Sequence, residues 1–132
     1  MTIQRITPLL FVPEVEPCVK FWTERLGFAS LNEVPEGPRL AFAMLQKDGA
    51  EIMYQSYASL ERDVPALAEA ARLGPSFLYI EVDNLEAIRA ATRGAEVYLS
   101  ERTTFYGARE IGIRDPAGHY VTFAQFAAEP RQ

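Results

Sequence analysis

The chain has one cysteine and one histidine among its 132 residues. A lone cysteine, Cys18, excludes an intramolecular disulfide, and without a C-x-x-C pair it supports no cysteine-based metal site. A chain of that kind suits a reducing compartment, so a cytoplasmic location is expected. With a single histidine, a Ser-His-Asp triad would have to run through His119, and nothing around it in the sequence supports one. An excess of cations is also missing. Thirteen Lys and Arg face 18 Asp and Glu, for a net charge of −5. Nucleic acid and anionic membranes need a basic face, so neither is expected as a partner. No apolar run approaches the roughly 18–20 residues of a membrane helix. The N-terminal MTIQRITPLLFVPEVEP reads as a strand and not as a signal peptide. There is no G-x-S-x-G elbow, no glycine-rich phosphate loop and no low-complexity segment.

What the chain does have is an internal repeat. Residues 9–31, LLFVPEVEPCVKFWTERLGFASL, and 78–99, LYIEVDNLEAIRAATRGAEVYL, share one pattern: apolar strand, acidic helix start, helix, glycine, strand. Each copy closes with a hairpin, KDGAEIMY at 47–54 and DPAGHYVTF at 115–123. The length fits one domain with a sizeable core. It reads as two modules, 1–57 and 76–127, joined by a helical linker over 58–75.

In the first copy a strand is predicted from Ile3 to Val12. Val15, Cys18, Val19, Trp22 and Leu26 then fall on one helix face, which makes Cys18 a buried structural thiol. Gly27 is placed just past the helix end. A short strand follows, then the hairpin of Arg39–Gln46 and Ala50–Ser56 around an Asp-Gly turn. In the linker, Asp63 is the expected cap, Pro65 the first turn and Gly74 the stop. The second copy opens with a strand over Ser76–Val82. Asp83 and Glu86 resemble a capping box, and a helix runs to Arg93 with Gly94 as its end. Strands are expected near 95–101, 108–114 and 119–126, and the tail Glu129–Gln132 is expected to fray.

Turn chemistry sets the register. A three-residue loop ending in Gly118 pairs Ile113 with Val121, Ile111 with Phe123, Gly112 with Thr122 and Glu110 with Ala124. The first two pairs are large and apolar and should cover the helices; the other two face away. The same logic pairs Met44 with Met53 and Phe42 with Gln55 on the open face of the first copy, and Leu45 with Ile52 and Ala43 with Tyr54 on the helix side. Alternation adds Thr7, Leu9 and Phe11 to one open face and Phe77, Tyr79 and Glu81 to the other.

Two βαβββ units, with LLFVPEVEPCVKFWTERLGF, FLYIEVDNL and YGAREIGIRDPAGHYVTFAQ as the telling stretches, resemble the vicinal oxygen chelate superfamily. Glyoxalase I, extradiol dioxygenases and bleomycin-resistance proteins belong to it. The last stretch is most similar to the bleomycin-resistance branch. The resemblance implies an α+β fold with curved mixed sheets enclosing a groove, usually in a homodimer. To that interface Trp22 or the helix faces would contribute. In metal-dependent members it implies His or Glu ligands on the first and fourth strands of each copy. Here those positions fall at Thr7, Met53, Phe77 and Thr122. Phenylalanine has no donor, methionine offers only a soft thioether, and two hydroxyls do not supply the charge a divalent cation needs. No metal, cofactor or catalytic residue is therefore assigned. Gln55, Glu81 and Glu110 are the only candidates for a displaced metal site. His119 reads as an exposed turn residue, Glu81 as a solvated strand end, and Glu110 as a partner of Arg109 or Arg114 of the neighbouring chain.

The remaining candidates line a ligand groove: Phe11, Phe42, Met44, Met53, Phe77, Tyr79, Tyr106 and Tyr120, with Gln55, Glu110 and Thr122 as polar points. Aromatic walls favour flat or cationic ligands. The expected function is a metal-independent protein that binds or sequesters an aromatic or cationic, antibiotic-like small molecule. The alternatives are a metal-dependent lyase, isomerase or dioxygenase with displaced ligands, and a non-catalytic interaction module whose groove is self-filled.

Overall fold

The computed structural model describes residues 1–127, in two compact units that divide between Gly74 and Pro75. The tail Glu129–Gln132, expected to fray, lies outside the described residues.

The first unit contains β1 (Leu9–Val12), α1 (Glu16–Leu26), β2 (Ala29–Glu36), β3 (Arg39–Lys47) and β4 (Ala50–Ser56). Its mixed sheet has the order β1-β4-β3-β2, with β1 parallel to β4 and the other neighbours antiparallel. The hairpin register is the one that the Asp-Gly turn implies: Met44 opposite Met53, Phe42 opposite Gln55. Leu45, Ala43, Ile52 and Tyr54 are buried on the other face, against the α1 side. From that helix Cys18 and Trp22 are fully buried, as is Val15 at its N-cap, and Gly27 closes it in the left-handed region at φ 75°. Trp22 is a core residue and so does not serve an interface. Its indole Nε1 donates to the Tyr54 hydroxyl at 2.8 Å, the partner that a buried indole N–H requires.

β1 is shorter than alternation alone predicts. Pro8 has no N–H to give a ladder, and its carbonyl accepts from Met53 N at 2.9 Å, so pairing starts at Leu9. Thr7 precedes the strand and donates to Glu51 Oε1 at 3.2 Å, where Arg5 also lies 3.1 Å away.

The connecting segment differs from the single capped helix expected. α2 (Tyr57–Asp63) starts directly after β4, capped by Ser56, whose hydroxyl accepts from Ser59 N at 3.1 Å. Asp63 is its last residue and caps nothing. Pro65 forces Val64 out of the helical region, to φ −135°, ψ 75°, and only a 3₁₀ turn and the four-residue α3 (Ala68–Ala71) follow.

The second unit repeats the first: β5 (Phe77–Glu81), α4 (Leu85–Ala91), β6 (Glu96–Thr103), β7 (Ala108–Arg114) and β8 (Tyr120–Phe126), in the order β5-β8-β7-β6. Its α4 cap is Asn84, which accepts from Ala87 N at 3.1 Å. Asp83 is not the cap, and the helix ends a turn before Gly94. The β7–β8 register matches the turn-based pairing at all four positions. Asp115 builds that turn by accepting from the backbone N–H of both Ala117 and His119.

His119 is the largest departure. It is only 6% exposed, and its Nδ1 accepts the Ser76 backbone N–H at 2.7 Å. The imidazole thereby ties the hairpin to the residue just before β5, a structural role that proximity to a turn glycine conceals.

Replacing Tyr54 with Phe should leave the buried Trp22 N–H without its acceptor, at a cost of about 1–3 kcal/mol. Urea unfolding followed by the fluorescence of this single tryptophan measures the loss. An unchanged midpoint would contradict the pairing.

Candidate functional site

Strand parity brings a set of aromatic and polar side chains to the open face of the second sheet. From β5 come Phe77 and Tyr79, from β8 Tyr120 and Thr122, and from β7 Glu110, all on the face away from buried Ile111, Ile113, Val121 and Phe123. Phe77 and Tyr120 are cross-strand neighbours and stack with ring centroids 5.1 Å apart and planes 7° from parallel. Tyr98 of β6 meets Tyr120 edge-on at 4.9 Å, and the Arg114 guanidinium lies 4.9 Å from the Tyr120 centroid. Phe77 is 74% exposed, and Tyr79, Tyr98 and Tyr106 are each between 41% and 49% exposed. Such an uncovered run of rings is what a binding surface offers and what a folded core would have hidden.

The polar centre of this face is Glu110, only 1% exposed. Its Oε2 accepts from the hydroxyls of Tyr79 and Tyr106, each at 2.5 Å. Its Oε1 accepts from Arg102 Nε at 3.0 Å, with Arg102 Nη2 at 2.9 Å. Burial alone pushes a carboxyl upward in pKa. The Tyr106 and Tyr79 hydroxyls and the Arg102 guanidinium together outweigh it and hold Glu110 below the usual glutamate range. Tyr79 moves the other way: burial, then the bond to Glu110, pushes its phenol well above the ordinary tyrosine value. Tyr79 therefore keeps its proton, and both hydroxyls donate to Glu110, which leaves their lone pairs as the outward polar feature. Within the chain, Arg102 is the arginine that pairs with Glu110. Arg109 pairs with Glu86 and Glu101, and Arg114 with Glu96 and the Gly118 carbonyl. Glu81 lies exposed at the strand end opposite Ala124.

On the first unit's sheet, Phe11, Phe42, Met44, Met53 and Gln55 share the open face and are all half-buried. Gln55 is the polar point there, donating to Ser59 Oγ at 3.1 Å. This face is soft and apolar, without a buried charge among the five. A separate cleft of about 500 Å³ opens on the second unit's helix-bearing side, around Arg93, Val97 and Ile113. No sequence-predicted ligand residue lines it.

Two residues of this face are not expected from the sequence. Tyr98 and Arg102 both belong to β6, which is interrupted between Val97 and Leu99 and again between Leu99 and Arg102. Each irregularity breaks the alternation on which the face assignment rests.

The positions where metal-dependent relatives place ligands do not fit a cation. Thr7 donates to Glu51, Met53 sits beside Leu9, Phe77 is stacked on Tyr120, and the Thr122 hydroxyl shares a hydrogen bond with Tyr98. Glu110 is saturated by donors. Among the described residues, no three His, Cys, Asp or Glu side chains gather to hold a metal ion.

The duplicated βαβββ frame and its two mixed sheets define a class of protein. Residues 2–123 match the model of the Glyoxalase/Bleomycin resistance protein/Dioxygenase superfamily, and the chain belongs to it. The fold is similar to that of a glyoxalase/bleomycin resistance protein/dioxygenase from Nocardioides, with a TM-score of 0.72 and 20% identity over 99% of this chain and 90% of that one. A family enzyme from Burkholderia phytofirmans PsJN has a TM-score of 0.75 at 16% identity, over 92% of this chain and 97% of that one. Lactoylglutathione lyase from Agrobacterium tumefaciens has 0.74 at 14%, over 94% and 95%. No curated protein matches the sequence.

The Glu110 cluster makes stability depend on acid. The folded state binds a proton at Glu110 more weakly than the unfolded chain does. Its contribution is present above the ordinary glutamate pKa of about 4.3 and is lost as pH falls below it. Wild type should lose more stability than Glu110→Gln between about pH 6 and pH 3. Parallel slopes in urea titrations across that range would contradict it.

Proposed function

We propose that this chain is a small-molecule binding protein that takes up a flat, largely neutral aromatic ligand on the open face of its second sheet, within a homodimer. One observation carries the reading. The exposed ring of Phe77 and the half-buried ring of Tyr120, with Tyr98 edge-on to it, share the open face with a buried carboxylate whose charge Arg102 already compensates. Rings supply stacking and apolar area, and the Tyr79 and Tyr106 oxygens supply acceptors for a ligand N–H or O–H. That combination, mostly apolar with a few placed polar atoms, is what ligand sites use.

The compensation by Arg102 narrows the expected ligand. An isolated buried glutamate would favour a cation, whereas a glutamate held by a guanidinium at 2.9 Å presents no net charge. Catalysis by Glu110 is disfavoured on the same geometry. A general base needs a free lone pair and a pKa near the working pH, and Glu110 has its oxygens engaged and its pKa lowered. The binding reading also agrees with the superfamily, which includes bleomycin-resistance proteins by its own description.

Calorimetry with aromatic glycopeptide antibiotics of the bleomycin type and with simple neutral aromatics tests the reading. Saturable binding should appear, and Phe77→Ala should weaken it by about tenfold, the equivalent of about 1.4 kcal/mol. Arg102→Gln should shift the preference toward cationic aromatics by exposing the Glu110 charge. Binding that is indifferent to both substitutions would place the site elsewhere, and no binding below about 100 μM would sink the proposal.

A further inference from the structure

Position 112 is the one place on the open face of β7 with no side chain, and the space is occupied. A Cβ built on Gly112 would lie 2.5 Å from Tyr98 Cε1 and Cζ. Gly112 does not have a positive φ, so the backbone alone does not call for glycine. What calls for it is the phenol ring lying across it. That ring comes from β6, the edge strand of the sheet, at the irregularity between Val97 and Leu99. It meets Tyr120 edge-on, and its hydroxyl shares a hydrogen bond with Thr122. Yet Tyr98 remains 41% exposed and comes from an edge strand.

The slot over Gly112 is thus complementary to a phenol in every part: a flat floor without a Cβ, an aromatic wall at Tyr120, and a hydroxyl partner at Thr122. We infer that Tyr98 is a built-in occupant of a phenol-binding slot, and that the natural ligand carries a hydroxyaryl group that displaces it. The inference rests on the binding reading above and names its ligand class. On displacement, the ligand ring takes the Tyr98 position over Gly112, its hydroxyl replaces the Tyr98 hydroxyl on Thr122, and Tyr98 swings outward about the edge strand. No covalent step is involved. Tyr98 acts as a competitor that sets selectivity: an aryl group without a hydroxyl gains the wall but leaves Thr122 without its present partner, so it displaces the tyrosine poorly.

The probe is 4-cresol, which reproduces the tyrosine side chain, with toluene as its counterpart lacking the hydroxyl. In fluorotyrosine-labelled protein, the Tyr98 fluorine signal is assigned by its loss in Tyr98→Phe. Saturating 4-cresol should shift that signal in wild type, and toluene should shift it far less. Tyr98→Phe, which keeps the ring and loses the bond to Thr122, should bind 4-cresol several-fold more tightly than wild type. Tyr98→Ala should bind it at least tenfold more tightly and should gain melting temperature on its addition. Thr122→Val should abolish the preference for 4-cresol over toluene.

Binding of 4-cresol that leaves the Tyr98 signal in place, or equal affinity in wild type, Tyr98→Phe and Tyr98→Ala, would overturn the inference while leaving the binding reading intact. The same holds for equal affinity of 4-cresol and toluene in wild type. If neither compound nor any larger aromatic binds wild type or the folded variants, both the inference and the reading beneath it fail together.

Discussion

A carboxylate that is almost wholly buried has to find a hydrogen-bond donor for each of its oxygens, because leaving an ionised group unpaired away from water is among the costliest defects a fold can carry. Glu110 meets that demand with donors from three different segments: Tyr79 on β5, Tyr106 at the β6–β7 hairpin and Arg102 on β6. The consequence reaches beyond the site. A one-residue slip of β5 against β8 would turn Tyr79 to the helix side and leave Oε2 short of a donor. The parallel pair β5–β8 and the antiparallel pair β6–β7 are therefore checked against each other by one side chain. Two half-exposed phenols are held in fixed directions in the process, which is the pre-organisation a binding surface needs.

The two copies of the repeat use the same frame for different ends. In the first unit, the polar bond of note lies in the core, where Trp22 donates to Tyr54, and the open face carries phenylalanine, methionine and one glutamine. In the second, the helix is four residues shorter than its counterpart, seven against 11, and the rings and the ionised group have moved to the open face. The order of strands and the pairing of the hairpins are common to both. The faces differ because the ladder fixes backbone partners and leaves the choice of outward side chains open.

How far the fold was legible depends on which residues carried the signal. Asp48-Gly49 and Asp115 through Gly118 are turn sequences with one favoured geometry, so the hairpin registers followed from them, and with those registers the faces of β3, β4, β7 and β8. The same counting failed on β6, where two irregularities shift the parity and hide Tyr98 and Arg102. It failed before Leu9 because Pro8 removes a ladder donor. It also failed at His119, where the decisive contact is with Ser76, 43 residues away. A local pattern does not hold that information. Short elements around Pro65 were misread because Ser56, the last residue of a strand, also caps the next helix.

The absence of a His or Glu set at the centre of the repeat and the chemistry of Glu110 point the same way, for different reasons. The first is a matter of side-chain type. Thr7, Met53, Phe77 and Thr122 do not supply the anionic or imidazole donors that hold a divalent cation. The second is a matter of occupancy. Glu110 is of the right type, but two phenols and a guanidinium already take up its oxygens, and they lower its affinity for a proton as well as for any other cation. A metal at Glu110 would have to displace Arg102 and two short hydrogen bonds before gaining its first ligand. A proton-transfer role would meet the same competition. The same arrangement suits the proposed role in recognition. The Tyr79 and Tyr106 oxygens are directed by Glu110, and the rings of Phe77 and Tyr120 are directed by the ladder, so a neutral aromatic molecule would meet a surface already in place.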